Sequence, residues 1–90
     1  MAETNYFSQK ITDVDNSWRQ LDLASDADRA FKSVVVINDS DSLELQIRLN
    51  DMGNDIIYVP YGEGVALDNP VWRIFYMASS GSPGFRVVAD

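Results

Sequence analysis

The side chains of this sequence best suited by type to acid–base chemistry are its carboxylates. The chain carries 14 Asp and Glu but no His and no Cys. The commonest general base is therefore missing, and so is the thiol nucleophile. Hydrolysis by carboxylates needs two of them facing each other across a cleft. Nearly all the acids here sit in stretches that read as turns, where they have a local role. Glu44 alone reads as mid-strand, on a polar face beside Arg48, so a glycosidase pair does not assemble. No G-x-S-x-G elbow and no Walker-type loop occurs. Gly62-Glu63-Gly64 is too short for a dinucleotide fingerprint and reads as a β-turn.

The residue types suggest two other chemistries. Asp13-x-Asp15, Asp26-x-Asp28 and Asp39-x-Asp41 each offer paired oxygens to a hard cation. None continues into the twelve-residue calcium loop: the turn-glycine position after Asp39 is Glu44, and the bidentate position is Asn50. Solvated turns and caps explain the pairs, and no metal or other cofactor is expected. Trp18, Tyr58, Tyr61, Trp72 and Tyr76 have the composition of a sugar-stacking platform. Trp72, however, lies on a strongly apolar segment that favours core packing. Tyr58 and Tyr61 flank Pro60 near a strand end and are the better candidates for an exposed contact.

The elements that must hold these side chains read as short strands. Residues 43–49 alternate strictly, with Leu43, Leu45, Ile47 and Leu49 on one face and Glu44, Gln46 and Arg48 on the other. That is a half-buried antiparallel strand. Residues 33–37 are rich in β-branched side chains, and Asn38-Asp39-Ser40-Asp41 joins the two runs as a turn, which predicts a hairpin. Residues 56–59 form a strand ended by Pro60. Residues 71–77 form another, with Trp72, Ile74 and Tyr76 on one face and Val71, Phe75 and Met77 on the other. Ser79 to Gly84 reads as a hairpin loop, and residues 85–89 close the sheet. Many short strands with Gly/Pro turns predict an all-β fold: an antiparallel β-sandwich or jelly-roll-like barrel of six to eight short strands.

The first third is less patterned. Residues 17–23 fit a strand, with Trp18 opposite Leu21 and Leu23. Residues 25–31 fit a helical turn capped by Ser25. Residues 1–16 read as an N-terminal arm whose apolar anchors are Tyr6, Phe7 and Ile11, and residues 17–90 as a single β-domain. The competing reading makes the arm a strand that completes the domain's own sheet.

Composition narrows the partners. Ninety residues make one domain, and the net charge of −7 repels phosphate backbones and anionic membranes. Neither nucleic acid nor membrane is expected as a partner. No apolar run approaches a membrane span. MAETNYFSQKITD has neither the basic nor the apolar region of a signal peptide, which sets cytoplasmic synthesis as the expectation. A domain of this size buries about 64% of its unfolded surface, and without disulfides it gains from association with copies of itself. The two apolar faces of residues 71–77 point to that strand as the shared surface, with Trp72, Phe75 and Met77 at the interface.

VVVINDSDSLELQIRLND, followed by DIIYVPYGEGVALDNPVWRIFYMASSGSPGFRVVAD, resembles the small β-domains of tailed-bacteriophage accessory virion proteins. Their pattern places an N-D-S-like turn at 38–41, an "l-v-r-l-N" strand at 45–50 and a "v-p-x-G-e" turn at 59–63. It continues with "l-d-x-p-v-w-r-i" at 67–74 and "r-v-x-A" at 86–89. The resemblance covers about two thirds of the chain. It implies a non-enzymatic capsid decoration (cement) protein, made in the host cytoplasm. Such a protein forms a homotrimer and binds the major capsid protein on the virion surface. The alternative it implies is a carbohydrate- or receptor-binding module of a phage head or tail fibre. No catalytic residue transfers with it.

Overall fold

The computed structural model describes residues 7–23, 31–68 and 70–89; within these, the Phe7 side chain is not described. Eight strands are present: β1 (Phe7–Ile11), β2 (Arg19–Asp22), β3 (Val34–Asn38), β4 (Leu45–Leu49), β5 (Ile57–Val59), β6 (Gly64–Leu67), β7 (Arg73–Met77) and β8 (Phe85–Ala89). They form two four-stranded sheets, ordered β1-β8-β3-β6 and β2-β7-β4-β5, with every pairing antiparallel. Two such sheets packed face to face, with the chain crossing repeatedly between them, are a jelly roll. The expected all-β sandwich is therefore observed.

Alternation decides which side chains lie between the sheets. In β3 Val34 and Val36 are buried, in β4 Leu45 and Ile47, in β7 Ile74 and Tyr76, and in β8 Phe85, Val87 and Ala89. Together with Leu21, Leu23, Phe31, Val59 and Val71 they make one continuous core. Phe85 meets Tyr76 edge-on across it, with ring centroids 5.1 Å apart.

Several expectations need correction. The runs 33–37 and 43–49 do not pair as a hairpin: β3 lies between β8 and β6, whereas β4 lies between β7 and β5 in the other sheet. The 79–84 loop likewise connects the two sheets and does not close a hairpin. The turn chemistry was read correctly, but a turn does not reveal which sheet receives the next strand. The 38–41 turn is built around Asn38, the one buried polar side chain among the described residues. Its Oδ1 accepts from Ser40 N at 2.9 Å, and its Nδ2 donates to Leu43 O at 2.8 Å and to Val59 O at 3.0 Å. That side chain ties the end of β3 to the approach to β4 and to β5 in the opposite sheet. Glu44 precedes β4 and is exposed, so it is not mid-strand.

The arm is also corrected. Residues 7–11 are the edge strand β1, paired with β8 from Phe7↔Ala89 to Ile11↔Phe85. Ile11 and Val14 are core residues. Tyr6 lies outside the described residues, as does most of the 25–31 helical turn. Residues 19–22 are a strand, as the sequence predicted.

Candidate functional site

The space between the sheets is the first place to look, because larger barrels of this architecture hold ligands there. Here it is filled. Its side chains are aliphatic or aromatic, Asn38 is committed to three hydrogen bonds, and no charged side chain is buried among the described residues. Such an interior holds neither a general acid–base pair nor a ligand set for a metal.

The carboxylate pairs are used structurally. Asp15 Oδ1 accepts from Ser17 N at 3.0 Å and its Oδ2 from Arg19 Nη2 at 2.7 Å, while Ala78 N donates to Asp15 O at 2.8 Å. The Arg19 hydrogen bond, with the Ser17 N–H behind it, holds the Asp15 carboxyl below its ordinary value. Asp13 Oδ1 accepts from the Tyr76 hydroxyl at 2.8 Å. Burial, then the bond to Asp13, pushes the Tyr76 phenol well above its ordinary value, so the hydroxyl stays a donor. Asp39 takes both oxygens to Arg86 Nε, at 3.1 and 3.0 Å. Asp26 and Asp28 lie outside the described residues. No group of three potential metal ligands occurs among those described.

The outer face of the β2-β7-β4-β5 sheet is different. Phe75 and Met77 point outward from β7, half-buried, because Ile74 and Tyr76 take the inward positions. Across the sheet, Phe75 lies between Gln20 of β2 and Arg48 of β4. Met77 pairs with Gln46, and Gln46 with Tyr58, which is 56% exposed on the edge strand β5. The Arg48 guanidinium carbon sits 4.8 Å from the centre of the Trp18 ring. Trp18 directly precedes β2, two strands away from Arg48. Strands lie about 4.8 Å apart, so this cation–π pair bridges over β7 and partly covers Phe75 and Met77. Arg48 Nη1 also donates to Met52 O at 2.7 Å, which fixes its reach. The resulting layer contains Trp18, Arg48, Tyr58, Phe75 and Met77. Trp, Tyr, Phe, Met and Arg are the types enriched at protein interfaces.

The sequence-derived site residues distribute unevenly. Phe75 and Met77 face outward together, and Tyr58 lies on the same sheet face. Tyr61 is exposed too, but in the turn after β5. Trp72 is corrected: it is 42% exposed and not in the core. Val71 bridges Phe31 and is buried, Ile74 is buried, and the strict alternation therefore slips between them. Trp72 falls on the slip, at the end of the sandwich opposite Tyr61, away from Phe75. Ile11 is buried in the core and offers no exposed anchor. Phe7 lies in β1 with its backbone paired to β8. Trp18 and Arg48 were missed as a pair. The signal was present, because Trp18 has the opposite parity to Leu21 and Leu23, which places it outward.

No family model matches the chain, and no curated protein matches it. A solved structure does: a cupin-2 domain containing protein from Shewanella frigidimarina NCIMB 400. It is 21% identical, with a TM-score of 0.54, over 97% of this chain and 72% of that one. The fold is a cupin-like jelly roll. This finding overturns the expected role as a phage capsid decoration protein, together with its fibre-module alternative. The motif residues behind that expectation occupy turns and inward positions: Asn38, Leu45, Ile47, Val59 and Ile74. Residues in such places report a jelly roll, whatever the jelly roll does.

Proposed function

We propose that this cupin-like domain is a non-catalytic association module that pairs with a second copy of itself through the outer face of the β2-β7-β4-β5 sheet. One observation carries the reading. Phe75 and Met77 point out of the centre of that sheet beneath the Trp18–Arg48 pair, while the interior is filled with apolar side chains. The patch suits a two-fold. An axis along the strands between β7 and β4 sets β7 against β4 of the other copy, and β2 against β5. Phe75 then meets Arg48 of the partner subunit, and Trp18 approaches Tyr58 of the partner subunit. Aromatic–Arg contacts of this kind dominate interface energies. Charge supports the same face. The chain as a whole is strongly acidic, yet the outward positions of the paired strands here carry Arg48 and Arg73 against Asp22 alone. Two copies therefore meet here without setting carboxylates against one another. The trimeric number belonged to the phage resemblance; the patch itself fits a dimer.

Sedimentation velocity at tens of micromolar tests this. The wild type is expected to sediment as a dimer, and Phe75→Lys and Tyr58→Glu as folded monomers, because the first sets a further cation against the Arg48 side chains and the second buries an unpaired charge at the contact. A monomeric wild type, or a dimer that survives both substitutions, overturns the reading.

A further inference from the structure

A hollow of about 260 Å³ lies inside the β4–β5 hairpin, lined by Leu49, Asn50, Asn54, Asp55 and Ile57. The structure assigns to it a binding site for a small organic cation with a short apolar tail, such as a primary alkylammonium. This site is independent of the association face, and its chemistry follows from what each lining residue has left to offer.

The floor is apolar. Leu49 and Ile57 are half-buried and pack against the core from the mouth of the sandwich. The walls are held in shape by the loop's own hydrogen bonds. Asn54 N donates to Asp51 O at 3.0 Å, Gly53 N to Asp51 Oδ1 at 2.7 Å, and Asp51 N to Leu49 O at 2.7 Å. Asn50 adopts a positive φ of 68° and clamps the neighbouring loop, its Oδ1 accepting from Trp72 N at 2.9 Å. The hollow therefore exists before any ligand arrives, which lowers the cost of binding.

Each side-chain amide has one N–H committed to the loops around it. Asn50 Nδ2 donates to Pro70 O at 3.0 Å, and Asn54 Nδ2 to Leu49 O at 2.7 Å. Asn54 Oδ1 and the Asp55 carboxylate have no hydrogen-bond or ion-pair partner among the described residues. The one charged group among the lining residues is thus an acceptor, the Asp55 carboxylate, with Asn54 Oδ1 near it and an apolar floor below. A ligand that fits must donate hydrogen bonds, carry positive charge and bury a few methylenes. A hard metal ion fits poorly, because it needs six or more oxygens and would face Leu49 and Ile57. The net charge of −7 raises the local concentration of any cation.

The test is a two-dimensional NMR titration of the full chain with n-butylammonium chloride, n-butanol, calcium chloride and sodium chloride. Butylammonium is expected to give saturating shifts in the millimolar range at the Leu49 and Ile57 methyls and the Asn54 side-chain amide. Butanol should bind at least fivefold more weakly, and so should butylammonium to Asp55→Asn, whose exposed, unpartnered side chain is not needed for folding. Equal binding of butanol would reduce the site to an apolar dimple and overturn the proposal. Unchanged affinity in Asp55→Asn would do the same, as would calcium saturating the same signals at lower concentration, or shifts that spread over the acidic surface without saturating.

Discussion

Replacing Asn38 by Ala should be the most damaging polar-to-apolar change among the described residues. The side chain is 1% exposed and makes three hydrogen bonds, which link two turns and both sheets. Each typical hydrogen bond contributes about 1 kcal/mol net, and a buried acceptor left without a donor costs about 1–3 kcal/mol. The bond to Val59 O is the buried one, whereas Leu43 O and Ser40 N are partly buried and find water more readily. Two ordinary losses and one full desolvation penalty sum to about 3–5 kcal/mol, a large share of the roughly 5–15 kcal/mol total of a typical domain. For a chain of this length, each kcal/mol shifts the melting midpoint by about 4–8 °C, so a drop of at least about 12 °C is expected. Urea unfolding of wild type, Asn38→Ala and Asn38→Asp, followed by near-UV circular dichroism, measures it. Asn38→Asp keeps the Ser40 bond but turns a carboxylate toward two carbonyls, so at neutral pH it should cost at least as much as Ala. A loss under about 1 kcal/mol for Ala would show that water replaces the amide freely and that the turn does not depend on it.

Glycine and titration effects give further checks. Gly81 has φ +70° and a Cβ there would lie 2.5 Å from Leu43 Cδ1, whereas Gly62 has φ +72° with nothing within 4 Å. Both alanine variants store left-handed strain of about 1–2 kcal/mol, and Gly81→Ala adds an overpacking cost of about 1 kcal/mol or more, so its urea midpoint should be the lower. Equal midpoints would mean that Leu43 yields without cost. The phenol of Tyr76 is raised above its ordinary value of 10.0 in the folded chain. A raised group contributes stability that is complete below the unfolded value and is lost as pH rises through the folded one. Wild-type melting midpoints should therefore fall more steeply above about pH 10 than those of Tyr76→Phe, and parallel profiles would refute the assignment.

Parts of this fold were legible because period two leaves few choices. The sequence LELQIRL has one reading, and the structure buries Leu45 and Ile47 accordingly. Pairing was not legible. Asn38-Asp39-Ser40-Asp41 has the composition of a hairpin turn, but β4 crosses to the other sheet, and the contact that accompanies the crossing, Asn38 Nδ2 to Val59 O, joins residues 21 positions apart. β1 was hidden because Gln9 occupies an inward position between Phe7 and Ile11, so FSQKI shows no clean alternation. Trp72 misled because the slip between Val71 and Ile74 leaves no trace in residue type. The outer face of the β2-β7-β4-β5 sheet was partly legible: Phe75, Met77 and Tyr58 were singled out, and parity places Trp18 outward. The cation–π pair with Arg48 was not, because it spans two strand spacings and depends on the sheet order. The hairpin hollow gave no sequence signal beyond a run of turn-forming residues.

The proposed association face and cation site both lie outside the core, where packing energetics favour them. A ligand chamber between the sheets of a jelly roll occupies about 300 Å³ or more. Emptying that much of a close-packed core costs about 24 cal/mol per Å³, or about 7 kcal/mol, which is comparable to the entire stability of a small domain. These 90 residues hold no cysteine, so no disulfide among them substitutes for packing. The inward positions are accordingly filled by Leu45, Ile47, Ile74, Phe85 and Val87, all at 0% exposure. The proposed sites use instead an outer sheet face, where Trp18, Arg48, Phe75 and Met77 gather, and a loop that encloses space without opening the core. The β4–β5 hairpin is such a loop. Its hollow rests on Leu49 and Ile57 at the edge of the core, so the fully buried Ile47 and Ile74 behind them keep their contacts whether or not a ligand is bound.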